Sequence, residues 1–250
     1  MIRLVLAIGF LLVSVVPAAA QTPPEAEPPV QEPPPHDHAA MLAAAAKRWQ
    51  VMWDGNLFTT FNYQGGLRGG DNEVRSQNWL MVMASRQLGP GTLALSGMAS
   101  LEPVTIGGAG YAHLFQLGET YRGLPVTDRQ HPHDLFMQLD AAWRLPVGKT
   151  ELSISGGPVG APAFGPIAFM HRLSASENAV APLTHHTFDS THIAMGTVTA
   201  GLSRGPFTVE ASAFHGREPD EERYILDTGA LDSRSGRVTW RAGRGFQFQV

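Results

Sequence analysis

The chain has 250 residues, with 18 basic and 22 acidic side chains, ten histidines and no cysteine, and its formal net charge is -4. The missing cysteine excludes disulfides, thiolate metal sites and cysteine nucleophiles, so stability has to come from packing and strand pairing. So slight an acidic balance argues against nucleic acid as a partner.

The N-terminus reads as an export signal. Met1-Ile2-Arg3 supplies a positive charge, residues 4–16 are an almost unbroken apolar run, and Pro17-Ala18-Ala19-Ala20 offers small residues before Gln21. That is the order of a cleavable secretory signal peptide, expected over 1–20. The run falls short of the ~20 apolar residues that a spanning helix needs. No cysteine follows it, which excludes a lipoprotein anchor. Residues 21–50 read as a linker. Pro23-Pro24, Pro28-Pro29 and Pro33-Pro34-Pro35 break helix and central strand alike, because proline fixes φ and lacks a donor. His36-Asp37-His38 lies within it, a spacer able to hold a metal ion only weakly, and an alanine-rich stretch over 39–46 follows.

Residues 51–250 form the expected β-domain. Period-two alternation recurs, and successive strand side chains point to opposite faces. Leu135, Met137, Leu139, Ala141, Trp143 and Leu145 share one face, while Phe136, Gln138, Asp140, Ala142 and Arg144 share the other. Leu93, Leu95, Gly97, Ala99 and Leu101 repeat the pattern, as do Phe207, Val209, Ala211 and Ala213. Strands are expected over 51–64, 76–88, 92–104, 133–146, 150–159, 190–203, 207–216, 234–241 and 246–250. Short Gly- and Pro-bearing links at 88–92, 146–150, 203–207 and 241–245 are turn-forming. Long links over 104–132, 157–190 and 217–232 alternate with them. In an up-and-down meander this places every tight turn at one end, the asymmetry of outer-membrane barrels. The expected fold is therefore all-β: an antiparallel up-and-down meander, an outer-membrane β-barrel or part of one, with long loops on one end. Trp143 and Trp240, near tight turns on apolar faces, suit an interfacial aromatic girdle. Bacterial barrels close with even strand numbers, so nine strands with a short last one read as a truncated chain.

The histidines invite a metal reading. His131, His133 and Asp134 sit where the first long link enters a strand, and His171, His185, His186, Asp189 and His192 lie in or at the end of the second. Imidazole and carboxylate are donors for zinc or copper, yet the same groups also fold loops by hydrogen bonding alone. Asp189, Ser190 and His192 have triad residue types, but adjacent strand residues point to opposite faces, so no catalytic residue is assigned. Glu218, Asp220, Glu221 and Glu222 read as a solvated acidic run around Pro219. Ser96, Ser100, Glu102, Gln138, Asp140, Thr208 and Glu210 are expected to line a wet interior.

Several longer segments carry a resemblance. They are residues 63–71, Asn78-Trp79-Leu80-Met81, Gly118-Glu119-Thr120-Tyr121, residues 128–135, 165–172 and 185–192, and Gly216-Arg217-Glu218-Pro219-Asp220-Glu221. Over most of 50–240 the chain resembles an uncharacterised family of exported proteobacterial proteins presumed to be outer-membrane barrels. The resemblance implies further strand hairpins beyond Val250 and brings no catalytic residues. The expected role is a non-enzymatic outer-membrane barrel, a pore or envelope component linked to metal handling. Its partners would be outer-membrane lipid and the outer-membrane assembly machinery. Two alternatives stand beside it: a periplasmic metal-binding β-sandwich, and an outer-membrane hydrolase.

Overall fold

The computed structural model describes residues 46–65, 72–183, 185–188, 193–243 and 245–250. The expected signal peptide, the linker up to residue 45 with His36-Asp37-His38, and the candidate ligands Asp189 and His192 lie outside the described residues. Strand makes up 55 % of the structure and helix 5 %, so the all-β expectation holds. No described helix is long and apolar enough to cross a membrane, which says nothing of strands.

Nine strands form the main antiparallel sheet: β1 (Gln50–Leu57), β4 (Asn78–Leu88), β5 (Gly91–Ala99), β8 (Phe136–Val147), β9 (Thr150–Gly160), β10 (Ala194–Arg204), β11 (Phe207–Phe214), β12 (Ser233–Arg241) and β13 (Gln247–Gln249). Their spatial order follows their sequence order. The sheet is open, with no barrel closure among the described residues. Two small sheets are set into its connections, β2 (Thr60–Asn62) with β3 (Glu73–Arg75), and β6 (Tyr111–Tyr121) with β7 (Leu124–Gln130). Helical turns α1 (Glu102–Thr105) and α2 (His185–Phe188) and a 3-10 turn (Phe169–His171) complete the elements.

Along this meander the connections alternate. Links at 89–90, 148–149, 205–206 and 242–246 are short, and those at 58–77, 100–135, 161–193 and 215–232 are long. Successive antiparallel connections emerge at opposite ends, so every short link lies at one end of the main sheet and every long link at the other. Gly89, Gly148 and Gly205 adopt φ of 57, 61 and 57° in three of the short links, a conformation in which a Cβ would be strained.

The two faces are sorted. Register places Trp53, Val82, Gly97 and Leu139 in one row across the strands, and Leu145, Leu152, Leu202, Val209 and Val238 in another. These rows share one face. On it Leu95, Ile154, Val198, Val209 and Val238 stand 41–54 % exposed, and no second sheet packs on it among the described residues. Its charged side chains lie near its ends: Arg86 and Arg204 beside short links, and Arg234 beside a long one. Trp143 and the stacked series Phe207, Trp240 and Phe248 follow the short-link end, and Arg86 stands over the Trp49 ring at 5.5 Å.

The opposite face is polar over β9 to β13. The Thr199 and Ser212 hydroxyls lie 2.7 Å apart, and Arg237 Nε donates to Glu210 at 2.9 Å. The 161–193 connection folds onto this face: Ala163 N donates to Ser212 Oγ at 2.7 Å and Arg237 to the Gly165 carbonyl at 3.0 Å. Towards β4, β5 and β8 the same face carries an apolar core of Trp79, Met81, Met98, Met137, Phe169 and Met170.

Four expectations need correction. The strand expected over 51–64 breaks after Leu57, since Phe58 N bonds the Gln77 carbonyl and Thr60–Asn62 pairs with β3 instead. The strand expected to reach residue 104 ends at Ala99, because Pro103 opens a helical turn. The long link over 104–132, for which no strand is expected, contains the β6–β7 hairpin. Met137, placed with Leu139 by alternation, is instead 3 % exposed in the inner core. A register shift opposite Met98 and Ala99 inserts one extra residue into β8 and reverses its facing.

Candidate functional site

At the long-link end, the 100–135, 161–193 and 215–232 connections meet in a buried ionic cluster. Its frame is the β6–β7 hairpin. Arg122 and Gly123 at its tip have φ of 54 and 73°, the pair of positive values that a two-residue type I′ turn requires. The Glu221 carboxylate accepts from Thr120 Oγ1 at 2.8 Å, from Gly123 N at 3.0 Å and from Arg122 N, tying the 215–232 connection to that tip.

Behind the tip, Glu119 is the hub. One carboxylate oxygen faces His131 Nε2 at 3.0 Å and the other pairs with the Arg223 guanidinium. Arg223 Nη1 reaches Asp134 at 3.1 Å, and its carbonyl accepts from Leu135 N at 2.8 Å, where β8 is about to begin. Burial raises the Glu119 carboxyl, but the hydrogen bonds and charges of His131 and Arg223 outweigh it and hold the group down to about 2. Burial leads in the opposite sense at Asp134, raising its carboxyl despite Arg223. Glu218 is likewise raised, by burial and then by the charge of Glu119.

A second pair lies alongside. His133 donates to Glu102 Oε2 from its backbone nitrogen at 2.9 Å and from Nδ1 at 3.0 Å. Burial opposes both charges, yet their mutual attraction wins, so Glu102 is lowered and His133 raised. From α2, His185 and His186 close the cluster. The His131 and His186 ring centroids are 5.1 Å apart, those of His133 and His185 6.4 Å. His186 Nε2 lies 3.2 Å from Gln130 Oε1. A cavity of about 30 Å³ remains among His131, His133, His185, His186, Glu119 and Arg223.

Five of the eight candidate metal ligands, His131, His133, Asp134, His185 and His186, are thus brought together from two connections. His171 lies elsewhere, its ring edge-on to Trp79 at 5.2 Å. Among the described residues, no group of three His, Asp or Glu side chains has metal-holding geometry. The carboxylates are taken up by Arg223 and the imidazoles. Chemically the cluster is a clasp for three connections.

The hub residues Glu119 and Arg223 escaped sequence reasoning. They are 104 residues apart, and no spacing rule reaches that far. Glu102 was expected in a wet interior and is instead 3 % exposed. The acidic run around Pro219 is only partly a solvated face, since Glu221 caps the hairpin tip and Glu218 lines the cavity.

No protein-family model matches the chain, and no curated protein or solved structure matches it.

Proposed function

We propose that the chain forms part of the wall of an outer-membrane β-barrel, exported and inserted by the outer-membrane assembly machinery. In this reading it is a non-enzymatic pore or envelope component and belongs with the exported family it resembles. Its Leu-, Val- and Ile-rich face meets lipid tails. Its polar face lines an interior that the clasped long connections cover at one rim. One observation carries the reading: a nine-stranded meander whose exposed face is apolar between charged ends and whose short links all share one end. A soluble sandwich would bury that face against a second sheet. Lipid-facing strands must instead leave it bare of protein and keep charge away from mid-membrane. The row of Trp49, Trp143 and Trp240 at the short-link end suits a membrane–water interface.

Envelope fractionation and gel migration test the proposal. The protein is expected in the outer-membrane fraction, extractable only with detergent, and migrating differently before and after heating. A monomer soluble without detergent would sink the proposal and favour the sandwich.

A further inference from the structure

The inner core is sorted by chemistry as well as by polarity. β4, β5 and β8 send Leu80, Val82, Leu93, Leu95 and Leu139 to the outer face. The same strands contribute Met81, Met83, Met98 and Met137 to the inner core, and the 3-10 turn adds Met170. Five of the nine methionines of the chain meet there. The buried members of the cluster include four methionines and, among the described residues, no leucine, isoleucine or valine. Hydrophobicity does not separate methionine from leucine, because the two exchange in cores for less than about 1.5 kcal/mol. What separates them is a more flexible, unbranched chain and a polarisable sulfur.

Met98, Met137 and Met170 line a cavity of about 220 Å³ beneath the 161–193 connection, with His171 beside them. The three methionines are 3–5 % exposed, whereas His171 is exposed and gives a way in. The lining also includes Arg237, but that guanidinium is committed to Glu210 and the Gly165 carbonyl. Thioether donors carry no charge, and imidazole binds a metal only in its uncharged form, so such a donor set suits a monovalent ion better than a divalent one in a low-dielectric site. Thioethers select soft cations, and hard cations demand oxygen.

We propose that this cavity is a site for a soft monovalent metal cation of the Cu(I) class, held by the thioethers of Met98, Met137 and Met170 and the imidazole of His171. It is separate from the histidine–carboxylate clasp and does not depend on the membrane reading.

The test uses the full chain, purified without an affinity tag and titrated with Ag(I), a redox-stable probe. Bound silver per chain and the sulfur neighbours seen by X-ray absorption are the readouts. The wild type is expected to hold a silver ion with sulfur ligands. The triple variant Met98→Leu, Met137→Leu and Met170→Leu, which conserves volume, should lose that ion and its sulfur signal. His171→Ala, at the cavity mouth, should weaken silver binding while keeping the sulfur neighbours, with an unchanged far-UV spectrum as the check that the fold is kept. Unchanged stoichiometry and sulfur signal in the triple variant, or unchanged affinity in His171→Ala, would overturn the site. Fractionation of the same variants is read independently, so failure here leaves the barrel proposal standing.

Discussion

Glu119 meets two opposed demands: a carboxylate that burial disfavours, and an arginine and a histidine that need it charged. Breaking a buried pair from one side leaves the other charge stranded, at a cost of about 3–5 kcal/mol. Glu119→Gln is therefore expected to lower the unfolding free energy by that order, read as an earlier midpoint of chemical unfolding, with Arg223 left to Asp134 alone. The pH dependence follows from the directions of the shifts. Glu102 and Glu119 are held below their ordinary 4.5, so their share of stability is present above that value. It is lost as pH falls through their folded values, about 2 for Glu119. His133 is held above its ordinary 6.5, so its share is complete below 6.5 and is lost as pH rises through the raised value. Asp134 and Glu218 are raised, so they weaken the fold as they ionise above their ordinary range. The shares of Glu102, Glu119 and His133 are present together between pH 4.5 and 6.5, and a profile rising steadily to alkaline pH would contradict the clasp. On the sheet itself, Val198 is mid-strand on the outer face and 44 % exposed. Val198→Arg should block membrane assembly, since such a charge at the bilayer midplane costs about 2–4 kcal/mol. On a water-facing surface the same change would fall within about 0.5 kcal/mol. Asp140→Asn, on the inner face beside Gln138, should assemble normally.

Among the elements, those governed by local alternation were legible in the sequence, and those governed by distant partners were not. β4, β9, β11 and β12 fall within two residues of their expected bounds: β11 and β12 keep an unbroken register with each other, and β9 keeps its bounds even though its register against β8 shifts once. β6–β7 was hidden for a physical reason. Phe115 and Asp128 adopt φ of 69 and 56°, and the register shifts twice along the pair, so side-chain alternation does not persist. Such values are genuine outliers for a residue as bulky as phenylalanine, and Asp128 supports Phe115 by accepting from its backbone nitrogen at 2.8 Å. Five candidate ligands could be listed as histidines and an aspartate near strand entries. The partners of His131, His133 and Asp134, which are Glu119, Glu102 and Arg223, depend on how the connections fold over one another. The hairpin also depends on Glu221, whose exposed carboxylate caps its tip. Glu221→Ala should accelerate tryptic cleavage after Arg122 while the far-UV spectrum stays unchanged. An unaltered cleavage rate would mean that the turn holds itself.

For the molecule as a whole, the strict alternation of short and long links acts as an address system. A passenger peptide grafted into the 215–232 stretch and one grafted into 161–193 must surface on the same side, whatever their sequences. One grafted at 148–149 must surface on the reverse side. Any display built on this scaffold therefore has a fixed polarity, decided by which kind of link receives the cargo.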